Sequence, residues 1–548
     1  MSAFQRARLY FDTLRYLKFE QIWGRFIFRL RRPEPDLRNA PSIRSVSGSW
    51  STPAARRVSM HGESSFHFLN RDGELAETDT WTDASNTKLW LYNLHYFDDL
   101  NAENAVQRSE WHKKLVERWI EENPPGSGAG WEPYPLSLRV VNWLKWALNG
   151  NSLGDVATHS LAVQVRYLRK RLEHHLLGNH LFVNAKALVF AGCFFEGDEA
   201  KGWLECGLGI LSREVPEQIL SDGGHFERST MYHALAYEDM LDLMNLAVAY
   251  PKLFNNQQAL IDNWRDRIEH MGYWLSVMCH PDEDISFFND AAIGISPSPR
   301  ELFYYVKRLG FPIPRVSNRV EWLKESGYVR VQQGSAVLLV DVAPLGPDYL
   351  PAHGHADTLS YEFSVYEQRL VVNSGTSRYG LGAEREYERS TAAHSTLELN
   401  GQNSSEVWAG FRVARRAYPT DVSVREEGGA VVIEAAHDGY LRLPGRPVHR
   451  RRWVFSLNKL EVYDWVDGKY EQAVSRVYVH PEIKVGHSNE SGSFCWGDKE
   501  VSWRVDGAVV SIQHTDWHPE FGVSVANNCL EMSLSAGAES RLNFGMEW

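Results

Sequence analysis

Four short stretches of this chain put residues that can hold or move a proton inside otherwise apolar surroundings. In the first, His174-His-Leu-Leu-Gly178-Asn179-His180-Leu-Phe-Val-Asn184, the glycine interrupts one helical pattern, and Asn179 and His180 open the next. Side chains at a helix start sit among free N–H groups and the positive end of the helix dipole, a setting that favours an anionic group. Asn179 would serve equally as an ordinary N-cap. In the second, Asp222-Gly-Gly-His-Phe-Glu227-Arg228-Ser-Thr-Met-Tyr232-His233, a Gly-Gly turn leads into a helix. The four-residue spacing predicts Arg228 and Tyr232 on one helical face, where the cation would pull the phenol below its ordinary pKa of about 10. Core packing of the tyrosine is the competing reading. In the third, Pro351-Ala-His353-Gly-His355-Ala-Asp357, two histidines two apart in extended chain face the same side, which suits a metal ion or a paired acid and base. The fourth joins Asn373-Ser-Gly-Thr with Ser390-Thr-Ala-Ala-His394, each holding a candidate ligand near a strand end.

Two aromatic–polar runs accompany these clusters. One contains Trp90, Asn93, His95 and Tyr96; the other contains Trp131, Glu132, Tyr134 and Arg139. Ring faces that stack and polar tips that bond hydroxyls suit a sugar, while packing at helix starts explains the same composition.

These residues need elements to position them. From about residue 89 to 309 the apolar spacing is helical, as in 111–121, 135–148, 161–172, 184–195, 231–250 and 261–277. Successive helices with short links predict a helical barrel or toroid built from helix pairs. After about residue 320 apolar and polar residues alternate, as in 328–332, 335–342, 359–366, 430–435 and 460–466, which predicts a large antiparallel β-sandwich. The expected organisation is α+β and multidomain: a basic helix and wrapping segment over 1–85, a helical toroid over 86–315 and a β-sandwich over 316–548.

Composition removes several classes. With 43% apolar and 23% charged residues, the chain is neither disordered nor collagenous, and it has no run of eighteen apolar residues to span a membrane. A net charge of −12 provides no basic field for nucleic acid. Five scattered cysteines form no CxxC pair, so neither a disulfide framework nor a cysteine zinc site is expected. The first 33 residues lack the apolar core of a secretory signal, which predicts a cytoplasmic protein, with periplasmic export by another route as the alternative. Their pattern is a basic amphipathic helix, with Leu9, Leu14, Leu17, Ile22, Phe26 and Leu30 set among arginines. That helix either packs its apolar stripe on the body, lies on an anionic membrane surface or joins two copies. The excess of aromatic residues, with 20 Trp, 23 Tyr and 24 Phe, fits either a sugar-stacking cleft or a core.

Taken in order, Gly178-Asn-His-x-x-x-Asn184, the Gly-Gly-x-x-x-Glu-Arg-Ser-x-x-Tyr-His run ending at His233, His353-Gly-His-Ala-Asp357, Asn373-Ser-Gly and Ser390-x-x-x-His394 resemble the heparinase II/III-like polysaccharide lyases, which include heparin-sulfate and alginate-type lyases. The resemblance covers roughly residues 85–545. It implies an incomplete α/α toroid followed by an antiparallel β-sandwich, with a cleft between them. It implies β-elimination beside a uronic acid of an acidic polysaccharide, which requires a carboxylate neutraliser, a base at C5 and an acid at the leaving 4-oxygen. By resemblance Asn179 and His180 face the carboxylate, and Tyr232 transfers protons, as the acid and also as a base. His353 is the partner base or neutraliser, and Glu227 and Arg228 support them. A zinc site would map to His355, Asn373 and His394, but the family pattern has Asp where this chain has Asn373, and a neutral amide is a poor zinc ligand. The run 90–98 also resembles members encoded with surface-polysaccharide synthesis genes, which implies processing of a self-made polymer. A C5-epimerase, which reprotonates C5 without cleavage, and a non-catalytic glycan-binding assembly protein are the alternatives. A glycoside hydrolase would need two facing carboxylates, and Glu132, Glu227 and Asp222 form no such pair.

Overall fold

The computed structural model describes residues 3–76, 78–534 and 541–548. Two short helices, α1 (Ala3–Leu14) and α2 (Phe19–Leu30), precede an irregular segment that wraps the body. The helical half then runs through α3 (Lys88–Tyr96), α4 (Ser109–Glu122), α5 (Pro133–Leu148), α6 (Gly154–Arg169), α7 (Gly178–Phe194), α8 (Asp198–Gln218), α9 (Thr230–Ala249), α10 (Pro251–Phe254), α11 (Gln258–Val277) and α12 (Pro299–Arg308). Helices α7 and α9 are apolar nearly all round and buried along most of their length, as a helix enclosed on every side must be. Interior charges on them are paired: Lys186 of α7 reaches Asp242 and Asp239 of α9, both at 2.6 Å, and Lys145 of α5 reaches Asp242 at 2.9 Å.

The C-terminal half is two stacked antiparallel sheets. The first, of nine strands, runs from Val320–Leu323 through Tyr328–Gln333, Ala336–Asp341, Tyr361–Val365, Gln368–Val372, Ala473–Val479 and Val525–Leu534 to Val509–Trp517, with Leu397–Leu399 pairing beside Ala473–Val479. The second, of eight strands, includes Val448–Ser456 and Lys459–Asp467 near its centre. These two strands alternate between buried and more exposed positions, with Trp453, Phe455, Leu460 and Val462 facing the sandwich interior. Strands Ala336–Asp341 and Tyr361–Val365 are buried on both faces. Their second face meets the helical half, where Val337 and Leu339 pack with Trp274, Val277 and Phe288. The helical-then-β architecture therefore agrees with the periodicity of the sequence, and this double burial creates a fixed seam between the halves.

Candidate active site

The seam brings together Tyr232 and His353, the residues expected to transfer protons. Tyr232 lies in the first turn of α9, whose N-cap Ser229 accepts the Tyr232 backbone N–H at 3.1 Å. Its ring packs on that of His353 with centroids 3.9 Å apart, and its hydroxyl lies 3.0 Å from that of Tyr379. Burial, followed by the neighbouring Tyr379, Tyr134 and Asp290, holds the phenol well above its ordinary pKa. This reverses the lowered value expected from Arg228. Arg228 is not on the helix: it precedes α9 at φ 57°, and its guanidinium donates to the carbonyls of Ser326 and Glu325 at the foot of the β-half. It couples the two halves and does not face Tyr232.

His353 donates from Nδ1 to Asp290 at 2.8 Å, which leaves Nε2 without a proton and directed toward Glu227, 3.8 Å away. Burial lowers its pKa while Asp290 pulls the other way, so the imidazole is neutral near pH 7. Asp290 is the hub of the cluster. Its carboxylate also takes His355 Nε2 at 2.8 Å and both terminal nitrogens of Arg385, one of them at 2.7 Å. Burial opposes its charge, but Arg385 and the two histidines hold it well below the usual carboxylate range. Asp290, Arg385 and Tyr379 escaped the sequence analysis. The available signal was the pair Asn289-Asp290 after two phenylalanines, a polar turn in an apolar segment in which Asn289 takes φ 57°.

Asn179 and His180 form the first turn of α7, half-buried at the opposite wall. The chain enters this helix through Leu177 at φ 64° and Gly178 at φ 55°. A Cβ on Gly178 would lie 2.2 Å from Leu350, so this glycine permits the close approach of the helical wall to the β-half. His180 Nδ1 lies 3.2 Å from Glu173, and Asn184 fixes that carboxylate through its side-chain amide at 3.1 Å. Tyr134 packs on His180 at 4.5 Å, and Tyr96 packs on Tyr134 at 6.1 Å. Glu132 accepts the Tyr92 hydroxyl and Lys88 beside them. Glu227 is buried with neither carboxylate oxygen hydrogen-bonded, and burial, assisted by Asp290, pushes its pKa up to about 8. It is a neutral carboxylic acid at pH 7, near the α7 entrance and His353.

Other expected substrate contacts are elsewhere. Trp90 is buried under Gly73 and Phe68, and its indole N–H is bound to the Arg71 carbonyl. Trp131 is buried between Trp119 and Tyr167. His95 accepts the Trp119 indole N–H at 3.1 Å, and Arg139 is enclosed by Gln164, the His95 and Gly130 carbonyls and the Trp119 ring. The Asn93 amide donates back to the Leu89 carbonyl, one turn earlier in its own helix, at 2.8 Å. These residues build the helical half; the two tryptophans present no free face to a sugar.

The expected metal ligands only partly converge. His355 Nδ1 and His394 Nε2 face each other at 3.2 Å, with burial lowering both to about 4 and about 3. Asn373 does not complete the set, because its amide donates to the Phe287 carbonyl and its oxygen accepts the Ser395 N–H, both at 3.0 Å. No group of three or more His, Cys, Asp or Glu among the described residues could hold a metal ion. The three residues do not fit a zinc ion as a set.

Residues 91–304 match the family model described as Heparinase II/III N-terminus, and residues 315–539 match that described as Heparinase II/III-like, C-terminal. A heparin-sulfate lyase of Bacteroides stercoris is 25% identical over 477 residues, covering 77% of this chain and 68% of that protein. FtsZ-localized protein C of Caulobacter vibrioides is 22% identical over 389 residues, covering 68% of this chain and 64% of that protein. A crystal structure of heparinase III superposes with a TM-score of 0.67 at 17% identity, covering 97% of this chain and 85% of that one.

Proposed function

The chain belongs to the heparinase II/III-like family of polysaccharide lyases, and we propose that it opens a uronate-containing polysaccharide by β-elimination. The observation that carries this reading is a neutral imidazole nitrogen and a phenol side by side, His353 Nε2 and Tyr232, with ring centroids 3.9 Å apart. Removing the C5 proton of a uronate places new charge beside an existing carboxylate, so that carboxylate must first be neutralised. The free N–H groups at the start of α7, the Asn179 amide and the protonated Glu227 are the donors for it. His353 Nε2 takes the C5 proton. The C5–H electron pair forms the C4=C5 double bond, the C4–O4 bond breaks, and the leaving oxygen takes the Tyr232 proton. The elevated pKa of Tyr232 suits the acid role and leaves the base role to His353.

The substrate reading goes one step further. Arg139 and Arg228, the cations expected at the cleft, are bound inside the fold. The groups around the catalytic pair are instead neutral donors: Tyr134, Tyr379, Asn179 and Glu227. Such a wall suits carboxylates and hydroxyls better than dense sulfate, so an unsulfated uronate polymer is the proposed substrate class.

The test is to offer the protein sulfated and unsulfated uronate polysaccharides and follow ultraviolet absorbance of the conjugated C4=C5 bond. Unsulfated polymers are expected to give the faster rise, and Tyr232→Phe to lose about 10²–10⁴-fold in kcat without loss of folding. Solvent deuterium entering C5 without chain cleavage would establish an epimerase instead. Full activity in Tyr232→Phe would remove the assigned acid.

A further inference from the structure

Outside the cleft, the N-terminus departs from ordinary packing. Helix α2 carries an apolar stripe of Phe19, Ile22, Trp23, Phe26 and Leu30, at the spacing that normally faces a core. Every one of these side chains is more than half exposed. Phe4, Phe11 and Leu14 of α1 are at least half exposed as well. The stripe therefore does not pack on the body. The opposite side of α2 does: Gly24 lies against the His175 backbone, Phe28 packs on His175 at 4.1 Å, and Arg171 lies over the Phe28 ring.

We propose that α1 and α2 dock this protein on an anionic lipid bilayer, with the exposed stripe sunk into the interface and the surrounding arginines on the headgroups. Charge decides between a bilayer and a second copy. Residues 1–32 hold eight Arg and Lys against two carboxylates, in a chain of net charge −12. Those two carboxylates are already engaged, Asp12 by Arg8 and Arg15 and Glu20 by His174. Arg29, Arg31 and Arg32 have no carboxylate partner among the described residues. A second copy of the same face would oppose cations with cations, whereas an anionic bilayer answers the stripe and the cations together. No helix among the described residues is long and apolar enough to cross a membrane, so the contact is peripheral.

Docking there would act near the cleft. Gln21, buried within α2, donates to the Tyr349 carbonyl at 3.1 Å and to that of Leu176 at 3.5 Å. These carbonyls precede His353 and Asn179 by four and three residues. On α1, Tyr10 packs against Trp408 of the β-half at 4.9 Å, and Thr13 accepts its indole N–H. The hairpin thus joins both halves, and a bilayer on its outer face would hold the joined cleft at a fixed position over the membrane surface.

The test uses the full chain and co-sedimentation with phosphatidylcholine vesicles, with and without phosphatidylglycerol. Binding only to the anionic vesicles, weakened by salt, is expected. Trp23→Ser/Phe26→Ser and Arg29→Glu/Arg32→Glu should each reduce it by about tenfold or more, with melting temperature unchanged because the stripe is exposed. Equal binding to both vesicles, or none, would overturn the proposal. So would a lowered melting temperature in both variants, or a concentration-dependent dimer that Trp23→Ser/Phe26→Ser abolishes. Sedimentation requires no turnover, so its outcome is independent of the proposed elimination.

Discussion

Two buried clusters in this molecule use the same parts. At the seam, Asp290 binds Arg385 through both guanidinium ends and His355 at 2.8 Å, and His355 faces His394 at 3.2 Å. Within the β-sandwich, Asp464 binds Arg451 through two nitrogens at 2.7 Å and His449 at 2.7 Å, and His449 faces His437 at 3.3 Å. The clusters differ in one partner. Each carboxylate also accepts a hydroxyl, Ser475 at 2.7 Å in the sandwich and Thr376 at 3.4 Å at the seam, but the seam carboxylate has one further partner, His353, whose side chain retains 12% exposure. A carboxylate fixed by arginine is a structural device in both places. Under the proposed elimination it also serves catalysis at the seam alone, where His353 keeps its second nitrogen free of a hydrogen bond and faces Glu227 at 3.8 Å.

The strongest way to break this comparison is to neutralise each hub. Asp290→Asn and Asp464→Asn each leave a buried arginine without its counter-charge, and each is expected to lose about 3–5 kcal/mol of stability. Only Asp290→Asn should also lower kcat at a temperature where both variants remain folded, by on the order of 10³-fold, because His353 loses the partner that holds its proton on Nδ1. Chemical denaturation and initial rates on the same samples check this. Equal losses of kcat in the two variants would show that Asp290 is no more than structural.

The pH profile sharpens the same difference. His353 must be neutral to accept a proton, and its folded pKa lies below 6.5, so activity should fall as pH drops through values under 6.5. Glu227 must be protonated to donate, and its pKa is about 8, so activity should also fall as pH rises through about 8. Glu227→Gln retains a donor that does not titrate. The variant should keep activity to within about tenfold near pH 7, lose the alkaline limb and keep the acid limb. Between pH 4.5 and about 8 the parent binds more protons folded than unfolded and so loses stability as pH rises, and Glu227→Gln should lack that loss. An alkaline limb unchanged in Glu227→Gln would assign it to another group.

What the sequence made legible follows from where packing decides an outcome. Helical spacing before residue 320 and alternation after it are local properties, so the order of the halves could be read directly. Tyr232 and His353 stood out because polar side chains in apolar contexts need a reason. Trp90, Trp131 and Arg139 were misplaced because helix starts that border a cleft and helix starts that border a core share the same mixture of aromatic and polar residues. Only the tertiary contact of Gly73 on Trp90, or of Trp119 under Arg139, separates the two cases. Asp290 was illegible because its role comes from Arg385, His353 and His355, all at least 63 residues away in the chain. The same limit applies to the N-terminal stripe, whose spacing is visible in sequence but whose outward direction is not.

The smallest expected effect concerns the two histidine pairs. Both present imidazole nitrogens to one another at nearly equal distance, 3.2 Å at the seam and 3.3 Å in the sandwich. Among the described residues no group of three or more His, Cys, Asp or Glu gathers at either pair, and at the seam Asn373 is bound to backbone groups through both ends of its amide. A divalent ion held by two imidazoles alone would bind weakly, and its removal should change folding free energy by less than about 1 kcal/mol. Melting with and without a chelator, alongside metal analysis of the purified protein, measures this. Asn373→Asp should separate the two pairs. The substitution changes the seam and leaves the sandwich pair untouched, so if the new carboxylate turns from the Ser395 N–H to the seam histidines, added zinc is expected to raise the melting temperature of that variant and not of the parent. If the parent already melts several degrees lower in chelator, the seam pair holds a metal with Asn373 as it stands, and the likeness between the two clusters ends at their carboxylates.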